Sequence, residues 1–307
     1  MGIEWARLGD QRPVEAAPNE IVLNGASRCR VLLFHGLTGC PAELSYIAHY
    51  VHHRGGFNVE CPSLVNHGQP IGVLAKTRMD EIYAGARRNF ARAREACERD
   101  GSPLVVGGLS IGAVLSLMLA AERPTDVAAV VCMSPTFFYD GWNVPWTHRL
   151  IPLADHLPLK NFAYLREGSP YGLKNEALRA RVAASYESAS LHDHALAARL
   201  GYAHFPIALF CEMRHLIRRC ISLLPRVTAP LLLLQAEEDD ITSPRNSQFV
   251  YDHVASRRKQ LLLLKNSYHV ITVDDDREEV AAAITEFCRE IASEVASPGP
   301  RSTAIEP

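Results

Sequence analysis

The sequence predicts an α/β chain built on a mostly parallel, doubly wound sheet that is interrupted by a helical insertion. Three observations carry this reading. Short apolar runs alternate with longer amphipathic segments from Glu20 to Ser134 and again from Val227 to Ser293. One of these runs passes through Gly108-Leu109-Ser110-Ile111-Gly112 directly into a helical pattern. Between the two alternating regions, Pro135 to Pro225 is rich in aromatics and prolines and shows no run of strands. At about 90 residues it is too long for a structureless loop. The expected organisation is a core from 1 to 134, an inserted helical cap from 135 to 225, and the rest of the core from 226 to 307, ending in a disordered tail from Ser297.

The elements follow in order. Glu20 to Asn24 reads as a short edge strand, and Arg30 to Phe34 is apolar enough to be buried on both faces. Pro41 opens a helix through about His53 that turns Leu44, Ile47, Ala48 and Val51 inward, and Gly55-Gly56 ends it. Phe57 to Cys61 is the next strand, and Thr77 to Arg99 is a long amphipathic helix with arginines on its wet face. Pro103 to Val106 and Asp126 to Met133 are buried strands on either side of the helix that follows Ser110. In the insertion, Glu176 to Tyr186 and Phe205 to Leu224 have helical patterns. Pro230 to Gln235 and Gln260 to Leu264 complete the strands, with helices at Ser243 to His253 and Arg277 to Ser293.

Composition narrows the function classes. The chain has 307 residues, 48% of them hydrophobic, and 32 Lys and Arg against 34 Asp and Glu. That balance points away from nucleic acid and from anionic membrane surfaces. No apolar run approaches the roughly 18–20 residues of a membrane span, and Met1 to Pro18 lacks an apolar signal core. Eight cysteines occur without a Cys-x-x-Cys pair, several of them inside apolar strand or helix patterns. They read as buried thiols of a reduced, cytoplasmic compartment rather than as metal ligands. A monomer or homodimer is expected.

The Gly108-to-Gly112 turn has the G-x-S-x-G pattern of a nucleophile elbow, in which a strained strand-to-helix turn lifts the serine hydroxyl above the sheet. The flanking glycines are needed because side chains there would crowd the neighbouring strand and helix. A serine nucleophile needs a base to take its proton and a carboxylate to hold that base. Each partner should follow the serine in the chain and sit just past the C-terminal end of a strand. After Gln235 comes the acidic turn Glu237-Glu238-Asp239-Asp240, and after Leu264 comes His269.

These pieces together resemble the carboxylesterase and monoglyceride-lipase branch of the α/β-hydrolases. The matching stretches are His35-Gly36-Leu37-Thr38-Gly39, Asn66-His67-Gly68, Gly108-Leu109-Ser110-Ile111-Gly112, Gln235-Ala236-Glu237-Glu238-Asp239 with Pro244 behind, and His269-Val270-Ile271-Thr272-Val273-Asp274. The likeness covers Glu20 to Ser134 and Val227 to Ser293 but not the insertion. It implies a triad of Ser110, Asp239 and His269, because the family places its aspartate five residues before the proline; Asp240 is the alternative. His35 is implied to brace the oxyanion loop, and His67 to be structural.

The oxyanion hole implied by the same likeness uses two backbone amides, those of Leu37 and Ile111, the latter at a helix N-terminus whose dipole favours an anion. The implied activity is hydrolysis of small-molecule carboxylic esters, medium-chain or monoacylglycerol-like, without a metal or organic cofactor. Serine at the elbow argues against dehalogenase or epoxide-hydrolase chemistry. A thioesterase, amidase, C–C bond hydrolase or acyltransferase would use the same triad. A non-enzymatic binding module would normally have lost a triad member. Phe137, Phe138, Trp142, Phe205, Leu209 and Met213 are the expected substrate-binding side chains of the insertion.

Overall fold

The structure is a computed structural model that describes residues 2–5, 13, 20–146, 148 and 162–296. In chain order its elements are β1 (Gly2–Trp5), β2 (Ile21–Leu23), β3 (Arg30–Phe34), α1 (Ser45–Gly55), β4 (Asn58–Cys61), α2 (Ile71–Lys76), α3 (Met79–Asp100), β5 (Leu104–Leu109), α4 (Ile111–Glu122) and β6 (Ala129–Met133). Then follow β7 (Ala163–Arg166), α5 (Glu176–Glu187), α6 (His194–Leu200), β8 (His204–Pro206), α7 (Ile207–Leu223), β9 (Leu231–Ala236), α8 (Arg245–His253), β10 (Lys259–Leu264) and α9 (Arg277–Ala296).

Seven strands form one sheet in the order β10-β9-β6-β5-β3-β4-β2. Every neighbouring pair is parallel except β2 with β4, which is antiparallel at the edge. The central strands are apolar throughout because both faces are covered. In β3, Leu32 and Phe34 join the core under α3, α4 and α7, while Val31 and Leu33 join the core under α1 and α9. β6 divides the same way, Val130 and Cys132 on one side and Val131 and Met133 on the other. This is the two-residue period of a strand with no solvent-facing side. The parallel doubly wound sheet is the predicted one.

Two features differ from the sequence expectation. First, the inserted segment is not helical throughout: β7 and β8 pair antiparallel, and β1 from the N-terminus adds to β7, making a three-stranded sheet in the order β1-β7-β8. These strands have three or four residues each, too short for a two-residue periodicity to stand out. Second, the helix expected from Phe205 begins at Ile207, because Pro206 occupies its N-cap and Phe205 belongs to β8. The tail from Ser297, expected to be disordered, lies outside the described residues. All eight cysteines are buried and free. Among the described residues no helix is long and apolar enough to cross a membrane.

At the β5–α4 junction two backbones approach closely. Ser110 has φ 58° and ψ −115°, well outside the ordinary regions for a non-glycine residue. A Cβ on Gly112 would overlap the carbonyl oxygen of Phe34 in the adjacent strand, and one on Gly108 would meet both that oxygen and the Gly112 backbone. Gly112→Ala should therefore push β3 away from the elbow, lowering stability by about 1–3 kcal/mol as overpacking does. Thermal unfolding checks this, and an unchanged Tm would mean that the two backbones are not in close contact.

Candidate active site

The elbow holds Ser110 at the C-terminal edge of the sheet, with its amide donating to Met133 O at 2.9 Å. Its hydroxyl shares a 2.7 Å hydrogen bond with Oγ1 of Thr136, which is buried just past the end of β6. The amide of Ile111 is the first in α4 and has no acceptor within the helix.

The acidic turn after β9 is built around Asp239. One carboxylate oxygen, Oδ1, accepts the amides of Ile241 and Thr242 at 2.9 and 2.8 Å. The other, Oδ2, accepts Gln235 Nε2 at 2.8 Å and the Thr242 hydroxyl at 3.1 Å. Into this cradle His269 directs its Nδ1, at 3.0 Å from Oδ2 and 3.1 Å from Oδ1. The Asp239 side chain is fully buried. Burial pulls the His269 imidazole down, but the charge and hydrogen bond of Asp239, with Asp240 and Glu43 adding, carry it above the ordinary histidine value. Asp240 has a different task. Its two oxygens accept the amides of His269 and Gly172, each at 3.3 Å. Burial raises its carboxyl to about 6, with His269 opposing and Asp239 assisting.

The histidine loop is also tied to the insertion. Asp274 accepts the amides of Tyr268, Lys174 and Asn175 at 2.9, 2.6 and 2.9 Å, and the Val270 amide donates to Gly172 O. The loop that carries His269 is therefore held from both the sheet side and the insertion side.

Ser110, His269, Gly36 and Leu37 all border one cavity of about 360 Å³, whose wall also includes residues from Tyr139 to Phe210. Its walls are mainly apolar, with Tyr139, Leu165, Tyr171, Phe205, Ile207 and Phe210 prominent. An open groove beside α3 and α4, bordered by Arg87, Arg88, Glu95 and Glu122, shares no lining residue with it.

Of the six side chains expected to meet substrate, the structure places only Phe205 in this wall. Leu209 and Met213 face the core, Met213 accepting the Tyr139 hydroxyl at 3.3 Å. Phe137 and Phe138 pack against Phe249, and their amides both bond Asn246 Oδ1. Trp142 is largely exposed, with its indole donating to Glu238 O and its ring edge-on to Tyr268. Tyr139, Tyr171, Ile207 and Phe210 line the cavity beside Phe205.

Two cavity carboxylates were not anticipated. Glu43, on the turn Pro41–Leu44, and Glu167, just past β7, both border the cavity. Burial raises each to about 7; His269 pulls both down, and the Gly36 amide also lowers Glu43 while Asp240 and Glu43 push Glu167 further up. The sequence pattern puts Glu43 in the first turn of the helix opened by Pro41, where an acidic residue is ordinary. Thr136 could have been found from its place at a strand end.

The family model Hydrolase_4, described as serine aminopeptidase S33, matches residues 25–276. A thermostable monoacylglycerol lipase from Bacillus sp. (strain H-257) is 25% identical over 84% of this chain and 89% of its own length. A carboxylesterase from Bacillus subtilis (strain 168) is 22% identical over 89% of this chain and 97% of its own. Among solved structures, one described with LipS and LipT, two metagenome-derived lipolytic enzymes, superposes with a TM-score of 0.71 at 25% identity, covering 88% of this chain and 97% of that one. A seven-stranded, mostly parallel sheet with its elbow, and a family match over most of the length, lead to one conclusion: the chain belongs to the Hydrolase_4 family of α/β-hydrolases, in the branch that includes monoacylglycerol lipases and carboxylesterases.

Proposed function

We infer that this ester-cleaving serine hydrolase acts on medium-chain or monoacylglycerol-like carboxylic esters through an acyl-enzyme on Ser110. The observation that carries the reading is the 3.0 Å contact between His269 Nδ1 and Asp239 Oδ2, beside a strained serine that borders the same apolar cavity. The lipase and esterase names of the relatives support the same substrate class.

In this reading His269 Nε2 takes the Ser110 proton as Oγ attacks the ester carbonyl. The amides of Leu37 and Ile111 receive the negative charge that develops on the carbonyl oxygen. The tetrahedral adduct collapses, and the alcohol leaves with the proton from His269. Water then attacks the acyl-enzyme, giving its proton to the same ring, and the acid departs with Ser110 restored. Asp239 holds the ring with Nδ1 protonated and offsets the imidazolium charge. Residues 135–225 act as the cap that shapes the acyl site, and the buried free cysteines suit a cytoplasmic setting.

Hydrolysis of p-nitrophenyl esters from acetate to palmitate tests the reading. A cavity of about 360 Å³ with apolar walls should give an optimum at medium chain length, with kcat/KM falling on either side. Absence of ester turnover at every length, with activity on thioesters or amides, would overturn the ester assignment.

A further inference from the structure

We propose that Glu43 is a positioning residue for ester cleavage, holding the oxyanion-binding turn through the amide of Gly36. The inference rests on the reading of the Leu37 amide as an oxyanion donor.

The turn is anchored on both sides of Gly36. Its N–H donates to Glu43 Oε1. Its carbonyl oxygen lies 2.8 Å from His35 Nδ1, while His35 Nε2 accepts the Leu64 amide at 3.0 Å. That acceptor role at Nε2 leaves the proton on Nδ1, so His35 donates to Gly36 O. Burial, with His67 assisting, keeps this ring well below the ordinary histidine value and therefore neutral. In a trans peptide the N–H points away from the C=O. Fixing Gly36 O on His35 therefore turns the Leu37 N–H to the opposite side, and the Leu37 carbonyl is itself held by His67 Nε2 at 2.7 Å. The remaining freedom of the turn is rotation of the peptide before Gly36, and Glu43 is the group that stops it.

The glycines of the turn support this independently. A Cβ on Gly39 would overlap Glu43 Oε2, and a Cβ on Gly36 would lie 3.1 Å from Oε1. The turn leaves its space to this carboxyl group. Charge fits as well. Burial lifts Glu43 to about 7, against the opposing pull of the Gly36 amide and His269. A carboxyl near 7 is only partly ionised at neutral pH, and it accepts the Gly36 N–H in either form.

The test measures kcat and KM with the best p-nitrophenyl ester, using Glu43→Ala, Glu43→Gln, Gly39→Ala and the Glu43→Ala/Gly39→Ala double variant, with Ser110→Ala as control. Glu43→Ala should lower kcat by about 10–100-fold with KM changed by less than about threefold, the pattern of a group felt in the transition state. Glu43→Gln keeps an acceptor oxygen and should recover kcat to within about threefold of the parent. Gly39→Ala displaces the carboxyl group sterically and should cost about as much as Glu43→Ala; in the double variant it should add nothing. The inference is overturned if Glu43→Ala keeps its kcat, if Glu43→Gln is no better than Glu43→Ala, or if the two substitutions add. Should Glu43→Ala fail to fold, kcat for Gly39→Ala and Glu43→Gln decides by the same criteria. Ester turnover surviving in Ser110→Ala would instead remove the acyl-enzyme reading, and this inference with it.

Discussion

Ser110→Ala should abolish ester hydrolysis while leaving the fold in place. In the proposed mechanism the serine carries the acyl intermediate, and loss of such a nucleophile lowers kcat by about 10⁴-fold or more. The structural cost is small by comparison. Alanine meets the same backbone constraint at φ 58° that serine does, so the elbow is no more strained. What is lost is the 2.7 Å hydrogen bond to Thr136, which leaves a buried hydroxyl without that partner, at a cost of about 1 kcal/mol. Paired measurements of kcat and Tm check both halves. A variant that unfolds would place the serine's value in packing, and a folded variant that still turns over would place the chemistry elsewhere.

The sheet and the proposed catalytic residues were legible for a common physical reason. Strands buried on both faces read as unbroken apolar runs, and the chemistry of this architecture stands at their C-terminal ends, where a few polar residues interrupt the pattern. Ser110 after β5 and His269 after β10 are marked that way. The acidic turn after β9 was less clear because it has four carboxylates in a row: its spacing to Pro244 favoured Asp239 only through the family resemblance, and in the structure it is Asp239 whose carboxylate meets His269 Nδ1. The cavity wall was poorly legible. Leu209 and Met213 have the same apolar character and helical setting as Phe210, yet they face the core while Phe210 faces the cavity. Nothing in a helix of mixed apolar residues says which face covers a core and which covers a substrate. Phe137 and Phe138 were drawn away by Asn246, a contact spanning more than a hundred residues that no local pattern encodes. The small sheet escaped for a related reason: β1 is paired with β7 across more than 150 residues, and each strand alone is too short to declare itself.

Asp239→Asn and Asp240→Asn should differ sharply, although the residues are adjacent, buried and both within reach of His269. Asp239 accepts from the Ile241 and Thr242 amides through one oxygen and from His269 through both. An asparagine there must keep its oxygen toward the two backbone amides, which turns its NH₂ toward His269 Nδ1. The ring then has to present a lone pair at Nδ1 and carry its proton on Nε2, where it can no longer accept from Ser110. A tautomer change of this kind lowers kcat by about 10⁴-fold. In Asp240→Asn the ring keeps its partner. One of the two amide contacts, to His269 N or to Gly172 N, survives through the amide oxygen, so the loss should stay within about tenfold. The pH profile separates the two further. His269 must be neutral to act as a base, so kcat/KM of the parent falls as pH drops through its pKa, which Asp239 above all holds above the ordinary histidine value. Removing the Asp239 charge should move that acid limb to lower pH even as the plateau falls. Removing the Asp240 charge should move it the same way by less, with the plateau largely kept. If Asp240→Asn gave the larger fall in plateau, the orienting carboxylate would be Asp240, and the contact between Asp239 and the ring would be a structural one.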